Sequence, residues 1–326
     1  MKRWGIAWLV ALGVGGTAAV SASPIAVDIR LPMYQRVGGM TGNLNSIGSD
    51  TLNNLMTFWA EGFATYYPSV KIQIEAKGSS TAPPALIAGT SQLGPMSRPM
   101  KPTEIDAFEK KYGYPPTAVA VALDALGVFV NKDNPIQHLS LEQVDSIFSS
   151  TRACGGKASL TTWGQLGLEA EWANAPISLY GRNSASGTYG YFKEHALCKG
   201  DFKGSVKEQP GSATVIEGVT NDRFAIGYSG MGYKTAGVRL LPLTGLGSTK
   251  VYEATADKVY AGTYPLSRYL YIYVNKAPGK PLDPLVAELL RYVLSQEGQS
   301  AVVKDGFIPL LKEIEAVEIK KVDDVL

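Results

Sequence analysis

Four short segments share a design suited to gripping a small oxyanion. They are Gly48-Ser49-Asp50-Thr51, Gly78-Ser79-Ser80-Thr81, Ser97-Arg98-Pro99 and Gly181-Arg182-Asn183-Ser184-Ala185-Ser186-Gly187-Thr188. Each lies between a strand-like and a helix-like stretch. The first N–H groups of a helix have no intrahelical partner and carry partial positive charge. Ser and Thr hydroxyls beside them add donors, and Gly lets the backbone approach a ligand. Several helix starts converging on one point would hold a tetrahedral anion, and Arg182 would add a charge-assisted, bidentate contact. Each segment also has a plainer reading. A Ser or Thr ahead of a helix is an ordinary N-cap, and a lone Arg is ordinarily a solvated surface residue.

Asp50 is at odds with its neighbours. A carboxylate repels a fully ionised ligand, but it accepts a hydrogen bond from a protonated oxyanion such as hydrogen phosphate. The alternative is that Asp50 only caps its helix. Signals for catalysis are weak. There is no G-x-S-x-G elbow and no G-x-x-x-x-G-K-[ST] phosphate loop. The only histidines are His138, in a Pro-containing turn, and His195, about two helical turns beyond Ser186. With so few soft ligands, neither a transition metal nor another cofactor is expected. Cys154 and Cys198 are the only cysteines. In an exported protein an even count reads as a disulfide.

The elements that must position these loops follow from periodicity. Leu52, Leu55, Met56, Trp59, Phe63 and Tyr66 fall on one face of a helix over Thr51–Tyr67. Lys71 to Ala76 alternates as a strand. A short helix follows Pro83-Pro84. Thr103-Glu104-Ile105-Asp106 and Ser140-Leu141-Glu142-Gln143 both resemble capping boxes. Val119–Lys132 and Leu266–Lys276 read as long apolar strands, and Asp283-Pro284 opens a helix. The chain up to about Asn43 reads as a loose leader. Strands alternating with helices point to an α/β fold with a parallel-rich sheet, and the length calls for two lobes.

Composition bounds the function. The 326 residues are 45% hydrophobic and 18% charged, with a formal net charge of +2. That describes a globular protein with a sizeable core. Lys2 and Arg3 precede an apolar run from Trp4 to Val20, and Val20-Ser21-Ala22 offers a small-residue cleavage site. Residues 1–22 thus read as a signal peptide cleaved near Ala22, and the mature protein is expected to be exported to the periplasm and soluble. Without Lys2 and Arg3 the 31 basic residues fall level with the 29 acidic ones. No general attraction for nucleic acid or anionic membrane is expected, so any bound anion must be held by local geometry.

The four loops, in this order, resemble the phosphate-binding receptors of bacterial phosphate ABC transporters, the PstS family, in its Pseudomonas-type branch. The resemblance rests on Asn45-Ser46-Ile47-Gly48-Ser49-Asp50-Thr51-Leu52, on Gly78-Ser79-Ser80-Thr81-Ala82-Pro83-Pro84-Ala85-Leu86, on Leu93-Gly94-Pro95-Met96-Ser97-Arg98, and above all on the R-x-x-x-S-G-T element running from Arg182 into Tyr189-Gly190-Tyr191-Phe192. It implies a two-lobed class II periplasmic binding fold. Lobe 1 would comprise 43–125 plus 268–326 and lobe 2 would comprise 126–267, with phosphate clamped between them by hinge closure. By motif position the ligand set would be Ser49, Asp50, Thr51, Ser79, Ser80, Ser97, Arg182, Ser186, Gly187 and Thr188. The well-known pocket of the family has an Asp at the position of Ser97, which accepts the phosphate proton and rejects sulfate. Here Asp50 would have to restore that discrimination, or selectivity rests elsewhere. Arg98 is not expected against the ligand.

The resemblance implies a monomeric receptor rather than an enzyme. It would take inorganic phosphate and hand it to the membrane permease of an ABC transporter. Other readings are a receptor for another tetrahedral oxyanion such as sulfate or molybdate, a secreted phosphohydrolase using a loop Ser such as Ser186, and a surface or adhesive protein with a vestigial pocket.

Overall fold

Residues 25–323 are described in the computed structural model, so the expected signal peptide and its cleavage site near Ala22 lie outside the described residues. The chain opens with three strand-to-helix units. β1 (Gly42–Ile47) leads to α1 (Asn53–Tyr66), β2 (Val70–Glu75) to α2 (Ala82–Ala88), and β3 (Gly94–Met96) to α3 (Pro102–Tyr112). The long β4 (Thr117–Asn131) follows, then β5 (Leu139–Ser140), α4 (Leu141–Phe148), β6 (Ser178–Arg182), α5 (Gly187–His195), β7 (Lys207–Gln209), α6 (Ser212–Asn221) and β8 (Ala225–Gly230). Short strands β9 (Val238–Leu240), β10 (Leu243–Thr244) and β11 (Val251–Tyr252) and helix α7 (Ala256–Tyr260) lead to β12 (Ser267–Val274). The chain closes on α8 (Pro284–Leu294), α9 (Gln296–Lys304) and α10 (Lys312–Asp323).

A seven-stranded sheet runs β3-β12-β4-β8-β6-β7, with β9 also paired to β4. β4 is its axis. Thr117–Ala125 pairs with β12, and Leu126–Val130 pairs with β8, so the strand changes partner between Ala125 and Leu126. From Val119 onward every residue of β4 is buried. That explains why it reads as an unbroken apolar run rather than an alternation. The fold is α/β, and β4 and β12 run side by side through the middle of its large sheet.

Four expectations need correction or qualification. The large sheet is mixed, not parallel-rich. β6 pairs in parallel with β7 and β8, but every pairing of β4 and β12 is antiparallel. The direction of a strand relative to partners distant in the chain is something local periodicity cannot report. The segment before β1 is not loose. Leu31 is buried, Tyr34 packs edge-on against Tyr66 and Tyr292, and the Tyr34 hydroxyl donates to Tyr67 and to Glu288. In α1 the buried stripe is Leu55, Met56, Trp59 and Phe63, with Tyr67 buried just past the end where Tyr66 was expected. Finally, Thr103 does not cap α3. Pro102 takes the first helical position, and Glu104 accepts from the Lys101 N–H at 2.8 Å. The Ser140–Gln143 box is formed as expected, with Gln143 N–H donating to Ser140 Oγ and Ser140 N–H to Gln143 Oε1. So is the cap of α8 by Asp283. Cys154 and Cys198 form the disulfide.

Candidate anion-binding site

All four motif loops are strand-to-helix corners, after β1, β2, β3 and β6. The first three are knitted side by side. Ser49 N–H donates to Pro95 O and Gly78 N–H to Gly48 O. The fourth, at the end of β6, meets the second. Ser80 N–H donates to Ala185 O at 3.1 Å. Gly78 permits this approach, because it has φ +122 and a Cβ there would stand 2.5 Å from Ala185 O.

At the meeting point hydroxyls cluster out of solvent. Ser49 Oγ donates to Ser97 Oγ at 3.0 Å, and Ser97 N–H donates to Ser79 Oγ at 3.0 Å. The Thr51 and Thr188 hydroxyls are 2.9 Å apart. Gly187, the first residue of α5, fits only because it lacks a side chain, since a Cβ would stand 2.2 Å from Ser79 Oγ and 2.6 Å from Ser97 Oγ. Ser49, Thr51, Ser79, Ser97, Gly187 and Thr188 are therefore brought together. Ser186 borders them with its Oγ committed to the Thr188 and Tyr189 N–H groups, so it caps α5. Ser80 is turned away, its Oγ accepting from Arg98 at 3.2 Å. Arg98 otherwise donates to both oxygens of Glu104 and to Pro99 O.

Arg182 ends β6 and is fully buried. Its Nη1 donates to Ser212 Oγ and its Nη2 to Pro210 O, with Asp50 Oδ2 3.2 Å away. Its buried Nε has no partner among the described residues. Burial pushes the guanidinium pKa down, and Asp50 opposes that shift. Asp50 does not cap its own helix. Its Oδ2 accepts from Ser212 N–H at 2.8 Å, at the start of α6. The carboxylate thus reaches across from the first corner to the start of α6, one step from the hydroxyl cluster.

Four contributors went unread in the sequence. Ser212 holds both Arg182 and Asp50. Tyr233 donates its hydroxyl to Asp50 O and Thr51 O. Asp124 of β4 and Arg268 of β12 form an ion pair at 2.6 Å with side chains 0% and 1% exposed. Arg268 also donates to Ser97 O at 2.9 Å and Thr188 Oγ1 at 3.1 Å. The last two had a legible signal, because each is a charge inside an apolar strand run and a buried charge needs a partner. Ser212 and Tyr233 had none.

Hydroxyl donors, the start of α5 and a buried guanidinium with a free N–H suit an oxyanion. The described residues hold no group of three or more His, Cys, Asp and Glu able to bind a metal. The His195 ring lies tilted against Tyr191, with ring centroids 4.1 Å apart.

Comparison with known proteins gives a consistent set of similarities. The model of the PBP superfamily domain matches residues 37–297. The chain is 58% identical over 312 residues to the phosphate-binding protein PstS of Pseudomonas aeruginosa, covering 96% of this chain and 95% of that protein. Its fold resembles a candidate phosphate ABC transporter substrate-binding protein of Clostridium perfringens, solved with bound phosphate. The TM-score is 0.68 at 26% identity, over 83% of this chain and 100% of that one. A candidate phosphate binding protein of Planctomyces limnophilus matches with a TM-score of 0.64 at 25% identity, over 88% of this chain and 100% of that one.

Proposed function

This chain belongs to the PBP superfamily and, within it, to the PstS phosphate-binding proteins, and on that premise we propose that it captures inorganic phosphate and delivers it to the membrane permease of a phosphate ABC transporter. The observation that carries the reading is the convergence of four corners, three from one side of the cleft and one from the other, on a single buried hydroxyl cluster. In that dry setting each hydrogen bond to an anion is strong, which offsets the hydration the ion loses. Lobe closure would be the state the permease recognises.

The lobes we propose are 43–125 with 268–326, and 126–267. The change of partner along β4 supports this division, as does the pairing of Ser267 with Ala125. The proposed ligand groups are Ser49, Asp50, Thr51, Ser79, Ser97, Arg182, Gly187 and Thr188, with Ser186 fixing the start of α5. Ser80 is demoted, because its hydroxyl and amide are engaged by Arg98 and Ala185. The unpartnered Arg182 Nε would supply one charge-assisted donor. Ser97 both donates and accepts, so preference for a protonated anion falls to Asp50. The protein acts as a binding receptor and not as an enzyme. It works in the periplasm as a monomer, after cleavage near Ala22.

Calorimetric titration of the mature protein with phosphate, sulfate and molybdate tests the reading. One phosphate bound per chain, undisplaced by equimolar sulfate or molybdate, is expected. Preference for either of the other ions would make this a receptor for a different tetrahedral oxyanion.

A further inference from the structure

The pair Asp124–Arg268 is as buried as the proposed ligand groups, its side chains 0% and 1% exposed, and it lies at a telling place. The two residues are cross-strand partners on β4 and β12, one residue before β4 changes partner. Asp124 is fully satisfied. Oδ2 accepts from Arg268 Nε and Nη2 at 2.9 and 2.6 Å, and Oδ1 accepts from Met231 N–H at 2.9 Å. That leaves the guanidinium fixed in plane with its other edge free to act. It donates through Nη1 to Ser97 O, beside β3, and through Nη2 to Thr188 Oγ1, in the first turn of α5. The Tyr191 ring of α5 also packs over it, 5.6 Å from ring centroid to guanidinium carbon. One buried side chain on a connecting strand thus touches both halves of the hydroxyl cluster.

Stability alone does not account for such a pair. A buried ion pair is often no more stabilising than an apolar pair of the same volume. A planar guanidinium held by a carboxylate does offer rigid, directed donors. By donating to Thr188 Oγ1, Arg268 also leaves that hydroxyl's own hydrogen pointing outward, toward Thr51 or an anion. We infer that Arg268, clamped by Asp124, is a positioning residue that sets the spacing between Ser97 and Thr188 and orients the Thr188 hydroxyl as a donor to the bound anion. This rests on the receptor reading above.

The test is a double-mutant cycle read by calorimetry, with phosphate, sulfate and molybdate each titrated. The charge-balanced variant Asp124→Asn/Arg268→Gln should keep a melting temperature close to the parent while binding the preferred anion at least about 30-fold more weakly. In a Thr188→Val background, Arg268→Gln should cost at least about threefold less than in the parent, because the Thr188 contact is already gone and only the one to Ser97 O remains to lose. Should the balanced variant fail to fold, Arg268→Lys serves the same purpose. It keeps the charge but cannot reach Asp124, Ser97 and Thr188 together, and the same weakening is expected. Parent-like affinity in the balanced variant or in Arg268→Lys would overturn the inference, as would equal losses from Arg268→Gln with and without Thr188. Because the cycle is read on whichever anion the parent prefers, preference for sulfate with coupling intact would overturn only the phosphate reading. Phosphate binding without coupling would overturn only the role of Arg268. No binding of any of the three ions would overturn both.

Discussion

Two charged residues at the site, Arg182 and Asp50, share one serine, Ser212. Arg182 is buried, and Ser212, Pro210 and Asp50 take up its two terminal nitrogens while Nε stays open. Arg182→Ala should therefore cost about 2–5 kcal/mol of phosphate affinity by calorimetry, the range for removing one partner of a buried charged hydrogen bond. Binding within a factor of about two would remove Arg182 from the site. Asp50 reaches Arg182 and Ser212 beside the cluster, and Ser97 offers no carboxylate there. Asp50→Asn should lower the preference for phosphate over sulfate at least about tenfold, because the amide donates as readily as it accepts. Equal weakening of both ions would mean that Asp50 serves only to hold Arg182 and the start of α6.

At the scale of elements the disulfide has the clearest consequence. Cys154 and Cys198 are 44 residues apart, and the bond ties the loop after α4 to the chain just past α5. On the chain-entropy model its reduction should cost about 4 kcal/mol of stability. A drop in melting temperature on adding reductant, absent in the Cys154→Ser/Cys198→Ser variant, is the expected result. An unchanged melting temperature would make the bond dispensable. The elements themselves were largely legible. The stripe through Leu55, Met56, Trp59 and Phe63, the box at Ser140 and Gln143, and the cap at Asp283 are local devices, and local devices leave local spacing behind. What failed was non-local. Strand direction around β4 depends on how distant segments cross. The packing of Tyr34 depends on α1 and α8. The start of α3 departs from the Thr103 expectation because Pro102 outweighs Thr103 as a first-turn residue.

The same division holds for the whole molecule. The four corners were visible as motifs, but that they face one another was visible only through resemblance. Asp124 and Arg268 are hard to read from the sequence because each sits in a strand whose dominant signal is its apolar content. Another buried acid has a global effect. Asp305 caps the end of α9 with Oδ2 lacking a partner, and burial pushes its pKa up to about 7, helped by Asp124 and opposed by a hydrogen bond from Asn54. Its folded value lies above its unfolded value of 3.8, so the native state holds more protons between those limits. Its contribution to stability is therefore present at acid pH and lost as pH rises through that window. Urea unfolding across the window should show a shallower loss of stability with rising pH in Asp305→Asn than in the parent. Identical slopes would show that the carboxyl ionises freely when folded.

The central claim is geometric, that corners far apart in the chain wrap one tetrahedral ion. A crystal structure of the mature protein grown with phosphate tests it most directly. The account predicts a single phosphate whose oxygens lie within about 3 Å of groups on Thr51, Ser79, Arg182, Gly187 and Thr188. A phosphate bound elsewhere, or one held by only one side of the cleft with the other lobe turned away, would contradict it.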